Sequence, residues 1–512
     1  MRTTILLRYS FRYDATQPKA HAAGARPPGR LKCPSLNPGI ENPLRPFILT
    51  PLIVACALFM ENLDSTIVAT SLPAIAADLH QDPIALKLSM TSYMLAQAVF
   101  IPASGWAADR FGSKTVFRAA IVVFTIGSIL CGLSSTLPQF VAARILQGCG
   151  GAMMTPVGRL TLFRSVERSE IVRAMAYLTI PALIGPMLGP PLGGFISTYF
   201  HWRWNFWINV PFGVLGVVLT SLYIPDIREE NVAAFDTKGF LLSGFGLSSL
   251  IFGLTVLGRG FIDLAANLAL IAFGALCVAI YVRHALRTPN PILDLRLMRI
   301  KTFWVSVVGG FLFRIGVGAT PFLLPLLLQL GFGMTPFRSG MTTFVATAGA
   351  LVMKAASASA LGRFGFRSTL VFNSLISAGF LASYGLFRPA TPEVLLLLVL
   401  FVGGFFRSLQ FTALNALAYA DIDNANLSRA TSLTAVVQQL SLSSGVAIAA
   451  AVVEATRDLA PGGLVDASSF PPAFFAVATI TAASALVFVR LPHDAGAALS
   501  GHKPEFRHAT DA

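Results

Sequence analysis

The sequence has few charged residues. Asp, Glu, Lys and Arg make up only 12% of its 512 residues, whereas 54% are hydrophobic and the mean hydropathy is +0.69. An average soluble domain is about 25% charged. So large an apolar excess cannot be buried in one soluble core. The surplus must therefore face lipid, where each membrane span needs about 20 predominantly apolar residues.

The sequence also lacks the marks of several other classes of protein. Its five cysteines form no C-x-x-C pair, so we expect neither a disulfide framework nor a zinc site. It contains no P-loop, which argues against ATP coupling. It has no clustered acids of the kind that would hold a divalent metal in a lipid-linked transferase, and no symmetric filter element of a channel. We expect no cofactor and no enzyme activity.

Short basic loops between apolar runs contribute much of the formal net charge of +14. In a soluble protein such a charge would suggest nucleic acid as a partner. Here membrane topology explains it better, because loops on the cytoplasmic side of a membrane protein are enriched in Lys and Arg. We therefore expect the lipid bilayer and a small-molecule substrate as partners, and no nucleic acid.

Apolar runs divide the chain into fourteen predicted spans. A basic, acid-poor tail at residues 1–45 precedes them, and a second tail at 493–512 follows; both are predicted to be disordered. The predicted spans are 49–70, 86–106, 115–134, 139–160, 172–197, 205–224, 238–257, 265–285, 302–328, 338–358, 368–387, 393–418, 431–453 and 472–490.

The basic residues support this count and set the predicted orientation. With the N-terminus in the cytoplasm, the inner loops carry most of the Lys and Arg, and each outer loop carries about one. An odd miscount would reverse the bias in the second half of the chain, and the bias does not reverse. We therefore expect a multi-pass inner-membrane protein with both termini in the cytoplasm.

A short internal repeat suggests two related halves. Asp109–Lys114 follows the second span, and Gly362–Arg367 follows the tenth; both are basic turns with a central glycine. The two turns correspond if two extra spans separate two six-span bundles, a plan that recurs in transporters. The predicted domains are a bundle at 46–224, two linker spans at 225–290 and a second bundle at 291–492.

Two acids lie inside the first predicted span. Glu61 and Asp64 are three residues apart and share one face of a helix. A carboxylate within a span is costly and usually faces a cavity or a partner. A low dielectric disfavours its charged form, which suits reversible protonation. The alternative is that Asp64 only anchors the outer end of the span.

Arg144 in the fourth span is a candidate partner for these acids. From the predicted span ends and a rise of 1.5 Å per residue, Asp64 and Arg144 each lie roughly 10 Å below the outer surface. Equal depth permits an ion pair, and an ion pair with a titratable acid is a proton switch. A static structural salt bridge is the alternative.

The fifth span has an unusual run of glycine and proline. Glycines spaced by four let helix backbones approach closely, and prolines interrupt the hydrogen-bond ladder, which suits a gate between domains. Ordinary small-residue packing is the alternative. The residues of this candidate gate are Gly185, Pro186, Gly189, Pro190, Gly193 and Gly194.

The turn after the second span is a candidate cytoplasmic latch. Gly105 and Gly112 permit tight turns, and Arg110 and Lys114 are basic anchors. Asp109 can pair with a basic group on a neighbouring helix. The alternative is a simple positive-inside anchor.

Further polar residues lie within later spans. They are predicted to line a central, mostly apolar substrate cavity, although snorkelling or hydrogen bonding between helices explains them equally well. The candidates are Gln147, Arg314, Arg407 and Gln438.

Taken together, these motifs resemble the major facilitator superfamily. Within it they resemble the fourteen-span drug–proton antiporter branch, and the subgroup typified by the bacterial multidrug transporter D. Glu61 is an additional acid outside the family pattern, and Gly362 stands where a second latch carboxylate would be. The matching blocks are Leu63–Val68, Asp109–Lys114, Arg144-x-x-Gln147-Gly148, Gly185–Gly194, Trp202–Pro211, Arg314–Phe322 and Gln410–Asn415.

The resemblance implies an all-α major facilitator fold, with two six-helix bundles plus two extra central spans. It also implies export of small amphipathic molecules, such as drugs or toxic compounds, driven by inward proton flow. The coupling residues would be Asp64 and Arg144, with Glu61 as an additional acid. A proton- or sodium-coupled exporter of a metabolite or siderophore is the alternative. A monomer suffices for this plan, and the sequence leaves the oligomeric state open.

Overall fold

The computed structural model describes residues 46–165, 171–225, 228, 232, 234–256, 263–423, 426–459 and 465–500. These residues are mostly helical and contain no strand. The tail at 1–45 and residues after 500 lie outside the described residues. The helices are α1 Pro46–Ile67, α2 Leu72–Asp78, α3 Lys87–Phe111, α4 Ser113–Leu133, α5 Leu137–Ser165, α6 Ile171–Tyr199, α7 Trp204–Trp207, α8 Asn209–Tyr223, α9 Thr237–Val256, α10 Leu264–Arg287, α11 Lys301–Leu326, α12 Pro336–Tyr384, α13 Glu393–Ala418, α14 Leu427–Leu459, α15 Pro471–Phe488 and α16 Ala497–Ser500.

The helices account for every predicted span, but not one for one. Eleven helical segments in the described part are long and apolar enough to cross a membrane. The predicted spans 139–160 and 172–197 fall in α5 and α6, which are not among those eleven. Two further predicted spans, 338–358 and 368–387, share the 49-residue α12. The helical polytopic fold is confirmed, and the count of fourteen stays a prediction.

The backbone at Gly365 breaks α12 and supports the internal repeat. Gly365 has φ 70° and ψ 170°, and Gly112, between α3 and α4, has φ 90° and ψ 135°. Residues with a side chain rarely adopt such positive φ values. The two turns that match in sequence therefore share a backbone conformation that glycine favours.

Helix packing follows two groups. In the first group α1 packs on α6, and α5 packs on both α3 and α4. In the second group α12 packs on α13 and α15, and α11 packs on α14 and α15. The two groups meet where α6 contacts α12 and where α3 contacts α14. The intervening α9 and α10 pack on each other, and α9 also touches α3 and α14.

The glycine stripe of α6 brings that helix against α1. A methyl group at Gly185 would lie 2.9 Å from the Phe59 carbonyl oxygen, and one at Gly193 would lie 2.4 Å from the Ile67 carbonyl oxygen. These distances are too short for any side chain. The helix runs without interruption from Ile171 to Tyr199 despite its prolines.

The outer ends of α6 and α12 also touch without side chains between them. The terms outer and inner follow the predicted topology. A methyl group at Gly194 would lie 2.3 Å from the Pro336 carbonyl oxygen, and one at Gly340 would lie 2.2 Å from the Pro190 carbonyl oxygen. The predicted glycine–proline gate therefore lies at the junction of the two helix groups.

Ion pairs join the outer ends of α3 and α14. Lys87 Nζ lies 2.9 Å from Glu454 Oε2, with the two side chains 1% and 12% exposed. Arg457 also contacts Asp82. The sequence analysis did not foresee this second outer junction.

The C-terminal end differs from the predicted disordered tail. Residues 493–500 are folded and end in α16, which packs on α12. His493 contacts Arg367, and Gly496 lies against the Phe366 ring. This stretch therefore packs beside the break at Gly365 in the middle of α12.

We expect Gly193→Ala to destabilise the protein, because the new methyl group would collide with the α1 backbone. Overpacking of this kind costs about 1–3 kcal/mol. Gly379→Ala is the matched control, since a methyl group there has nothing within 4 Å. Thermal unfolding in detergent measures both. Equal unfolding temperatures for the two variants would contradict the close approach of α6 and α1.

Candidate functional site

The core of the candidate site is an ion pair between α1 and α5. Arg144 Nη1 lies 2.7 Å from Asp64 Oδ2, with the two residues 1% and 0% exposed. Because the two helices run in opposite directions, residues 80 positions apart meet at one depth. The pair expected from the helix rise is present.

Polar side chains satisfy both oxygens of the Asp64 carboxylate. Gln147 Nε2 donates to Asp64 Oδ1 at 2.8 Å, and Asn209 Nδ2 donates to the same oxygen at 3.0 Å. Arg144 Nη1 also donates to Gln147 Oε1 at 2.6 Å, and Arg144 Nε donates to the Ser89 carbonyl oxygen at 3.3 Å. Hydrogen bonds to a carboxylate favour its charged form, so this arrangement offsets the cost of burial.

A chain of contacts connects this pair to the second acid. The Arg144 guanidinium lies 4.1 Å from the centre of the Tyr93 ring, a cation–π contact. Gln97 Nε2 donates to the Tyr93 hydroxyl oxygen at 3.2 Å and to Glu61 Oε1 at 3.0 Å. These contacts therefore connect Glu61 to the Asp64–Arg144 pair through two side chains, those of Tyr93 and Gln97.

Glu61 differs from Asp64 in being half-buried and in having no arginine hydrogen-bonded to it within the described residues. Thr155 Oγ1 donates to Glu61 Oε2 at 2.8 Å. Gln439 Nε2, from α14, donates to Gln97 Oε1 at 2.8 Å. Gln97 thus links Glu61 in the first helix group to α14 in the second.

Comparison with known proteins identifies the fold family. The sequence profile of the Major Facilitator Superfamily matches residues 54–446. The chain belongs to the Major Facilitator Superfamily. It is 39% identical over 447 residues to the "Putative multidrug resistance protein MdtD" of Yersinia enterocolitica, covering 87% of this chain and 95% of that protein. It is also 39% identical over 444 residues to the protein of the same name from Serratia proteamaculans, covering 86% and 93%.

Solved transporter structures share the fold at low sequence identity. A D-xylose–proton symporter matches with a TM-score of 0.62 and 15% identity, covering 88% of this chain and 98% of its own. A POT family transporter in complex with 5-aminolevulinic acid matches with a TM-score of 0.64 and 16% identity, covering 86% and 94%. The resemblance to the superfamily and to its multidrug transporter D subgroup is confirmed.

The four residues predicted to line a substrate cavity have different surroundings. Gln147 is fully buried within the Asp64 network and does not lie on an open surface. Arg314 is buried, and its Nη2 donates to Asn415 Oδ1 at 3.1 Å. Arg407 lines a small cavity in the second helix group. Gln438 is half-buried, and its neighbour Gln439 makes the contact with Gln97.

The predicted latch turn forms one of the expected contacts. Asp109 Oδ1 accepts from Arg164 Nη2 at 2.7 Å, which ties α3 to the inner end of α5. Gly112 adopts the positive φ that the turn requires, whereas Gly105 is exposed in open space. Arg110 is exposed and Lys114 is half-buried. The ion pair lies within the first helix group, and a role as a latch stays a prediction.

Sequence reasoning missed several residues of the site. Tyr93, Gln97, Ser89 and Asn209 all contact the acids or Arg144 through side chains or backbone. Only Asn209 carried a signal, because it lies in the Trp202–Pro211 block that matches the family. Tyr93, Gln97 and Ser89 lie in none of the blocks that the sequence analysis singled out.

We expect Arg144→Gln to lower the free energy of unfolding by about 3–5 kcal/mol, because it leaves the Asp64 charge buried and uncompensated. The double variant Asp64→Asn/Arg144→Gln should be destabilised by clearly less than the sum of the single variants. Unfolding in mixed micelles measures the cycle, with the exposed Arg118→Gln as control. Additive effects would show that the two side chains do not interact.

Proposed function

We propose that this protein exports small amphipathic molecules, such as drugs or toxic compounds, across the inner membrane in exchange for protons by alternating access. The buried Asp64–Arg144 pair is the observation that carries this proposal. A titratable acid held by a fixed cation within a membrane span is costly to keep and is usually functional. The multidrug-resistance names of the relatives support the substrate class.

Protonation of Asp64 is the proposed coupling step. A proton that arrives from the outer side would neutralise the carboxylate and remove its Coulomb attraction to Arg144. Arg144 would keep its contacts with Gln147, Ser89 and the Tyr93 ring, so it need not leave its place. The Asp64–Arg144 interaction between α1 and α5 would weaken, while the remaining contacts would still stabilise the charge of Arg144. Release of the proton on the inner side would restore the pair.

The close contact of α1 with α6 offers a route from this step to the junction of the two groups. Gly185 and Gly193 leave no space between α6 and α1, and Gly194 touches the start of α12. A shift of α1 against α5 would therefore move α6, and with it the outer contact with α12. We propose the bundles 46–224 and 291–492 as the two moving bodies, with both termini in the cytoplasm.

Proton flux in proteoliposomes tests the proposal. An outward-directed gradient of a cationic dye or another candidate drug should produce proton movement in wild type, read by an internal pH-sensitive dye. Asp64→Asn should abolish it, because the amide cannot exchange a proton at this site. Asn209→Asp offers a variant that keeps Asp64 but adds a second acid, and it should shift the pH at which flux is half-maximal.

The outcomes separate the alternatives. Drug-driven proton flux that persists in Asp64→Asn would overturn the assigned coupling residue. Transport that needs a sodium gradient and ignores pH would favour sodium coupling. No flux with any drug, but flux with a metabolite or siderophore, would replace the substrate class and keep the mechanism.

The ion pair of Asp109 with Arg164 is proposed as a latch that biases the conformational balance. Asp109→Asn removes the charge but keeps the shape, so we expect the outer and inner accessibilities of single cysteines to shift in labelling experiments. Arg110→Gln, at an exposed neighbour, is the matched control. Labelling rates that are identical in wild type and Asp109→Asn would leave the pair with a purely structural role.

A further inference from the structure

Arg407 lies near the middle of α13 and is half-buried in the second helix group. It is fourteen residues from the start of α13 at Glu393 and eleven from its end at Ala418. At 1.5 Å per residue these separations correspond to about 21 Å and about 16 Å along the helix axis. Long basic side chains near span ends reach the interface by snorkelling. From this depth the guanidinium reaches neither end.

The charge of Arg407 has no partner in the part of the chain that the structure describes. There it makes no hydrogen bond and no ion pair, and Tyr384 is the only titratable group that acts on it electrostatically. The surrounding helices α11, α12, α13 and α15 contain a single carboxylate, Glu393. Glu393 lies at the outer end of α13 and pairs with Arg338 at 2.9 Å. An unpaired cation at this depth is costly unless something else compensates it.

A cavity of about 30 Å³ lies beside Arg407, between α11, α12, α13 and α15. Two further hydroxyl groups line it without hydrogen-bond partners among the described residues, those of Ser377 and Tyr384. Thr320 and Thr481 also line it, but their hydroxyls donate to helix carbonyl oxygens. One guanidinium and two hydroxyls therefore offer unused donors to the same space.

Gly403 provides the room for this arrangement. It lies one helical turn from Arg407, and a methyl group there would lie only 2.1 Å from the Tyr384 hydroxyl oxygen. The absence of a side chain at Gly403 allows the hydroxyl to lie at the cavity wall. Any larger residue would push Tyr384 away from it.

Arg314 adds a second positive charge to the same helix group. It is 1% exposed, its Nε has no partner among the described residues, and its guanidinium lies 5.2 Å from the Phe411 ring. Phe411 is one turn beyond Arg407 on α13. The first group, by contrast, places Glu61 and Asp64 against one buried arginine. The second group therefore has a positive interior that favours anions.

We propose that the Arg407 cavity binds a small anionic group, held by the guanidinium and by the hydroxyls of Ser377 and Tyr384. Charge-assisted hydrogen bonds to an anion would satisfy all three donors at once. A single water needs about 10–15 Å³, so a cavity of about 30 Å³ has room for a chloride ion or one carboxylate group. The proposed anion site does not depend on proton exchange. A role of this site in selecting an acidic substrate rests on the proposed export.

Ligand-dependent stability of the full-length protein in lipid nanodiscs tests the site. Unfolding temperature would be measured against sodium chloride and, separately, sodium acetate. Sodium gluconate, whose polyhydroxy chain does not fit the cavity, keeps the ionic strength constant. A ligand that binds only the folded state raises this temperature in a saturable way. We expect a saturable rise with at least one of the two anions.

Four variants assign the effect to the cavity. Arg407→Gln should weaken the apparent affinity by at least about tenfold, and Arg407→Lys should retain part of it. Tyr384→Phe and Gly403→Ala keep the guanidinium and should each weaken binding, so the test does not depend on Arg407→Gln folding. Arg283→Gln, an exposed position on α10, should respond as wild type does.

The two anions distinguish the source of the ligand. A response to chloride alone would identify an ion site, whereas a response to acetate, with competition by formate but not by formamide, would identify a subsite for a substrate carboxylate. No response beyond gluconate, or an unchanged response in Arg407→Gln and Tyr384→Phe, would overturn the proposal and leave water as the occupant. A protein that binds the anion but exchanges no protons would overturn only the proposed export.

Discussion

The electrostatic cost of a charge inside the membrane is the constraint on which the rest of this structure depends. For Asp64 this cost is offset by Arg144 and Gln147 of α5 and by Asn209 of α8. That network sets the relative depth of α1, α5 and α8. In the proposed coupling step, loss of the carboxylate charge would remove this attraction and loosen the packing of α1 on α5.

Close backbone contact is the means by which a local change can become a movement of whole helices. Because α6 has glycines where it meets α1, the two backbones are in direct contact. Gly194 and Gly340 likewise bring the backbones of α6 and α12 into direct contact. A well-packed interface of this kind shifts as a unit and does not deform gradually. The Lys87–Glu454 pair joins α3 and α14, and under the proposed alternating access it would have to open in an outward-facing state.

The two helix groups differ in how many partners surround their charged side chains. In the first group nearly every donor and acceptor near the acids has a partner, and Gln97 extends the network to Gln439 in the second group. In the second group Arg407 and Arg314 lack carboxylate partners within the described residues. The buried charges near the acids of the first group are thus balanced within that group, whereas those of the second group are positive and lack an acid.

The sequence by itself determined the helical membrane class, the positions of the long helical segments, the repeated glycine turns and the acid–arginine pair. Each of these follows from local composition or from the constant rise of a helix, which the sequence contains. Only the tertiary structure decided that Gln147 belongs with Asp64, that Asn209 and Tyr93 complete the network, that residues 493–500 fold onto α12, and that Arg407 has a cavity but no acid. Those facts depend on the rotation of each helix about its axis. This rotation is set by packing between helices that are far apart in the chain. Because most of their side chains are apolar, the sequence does not distinguish one rotation from another.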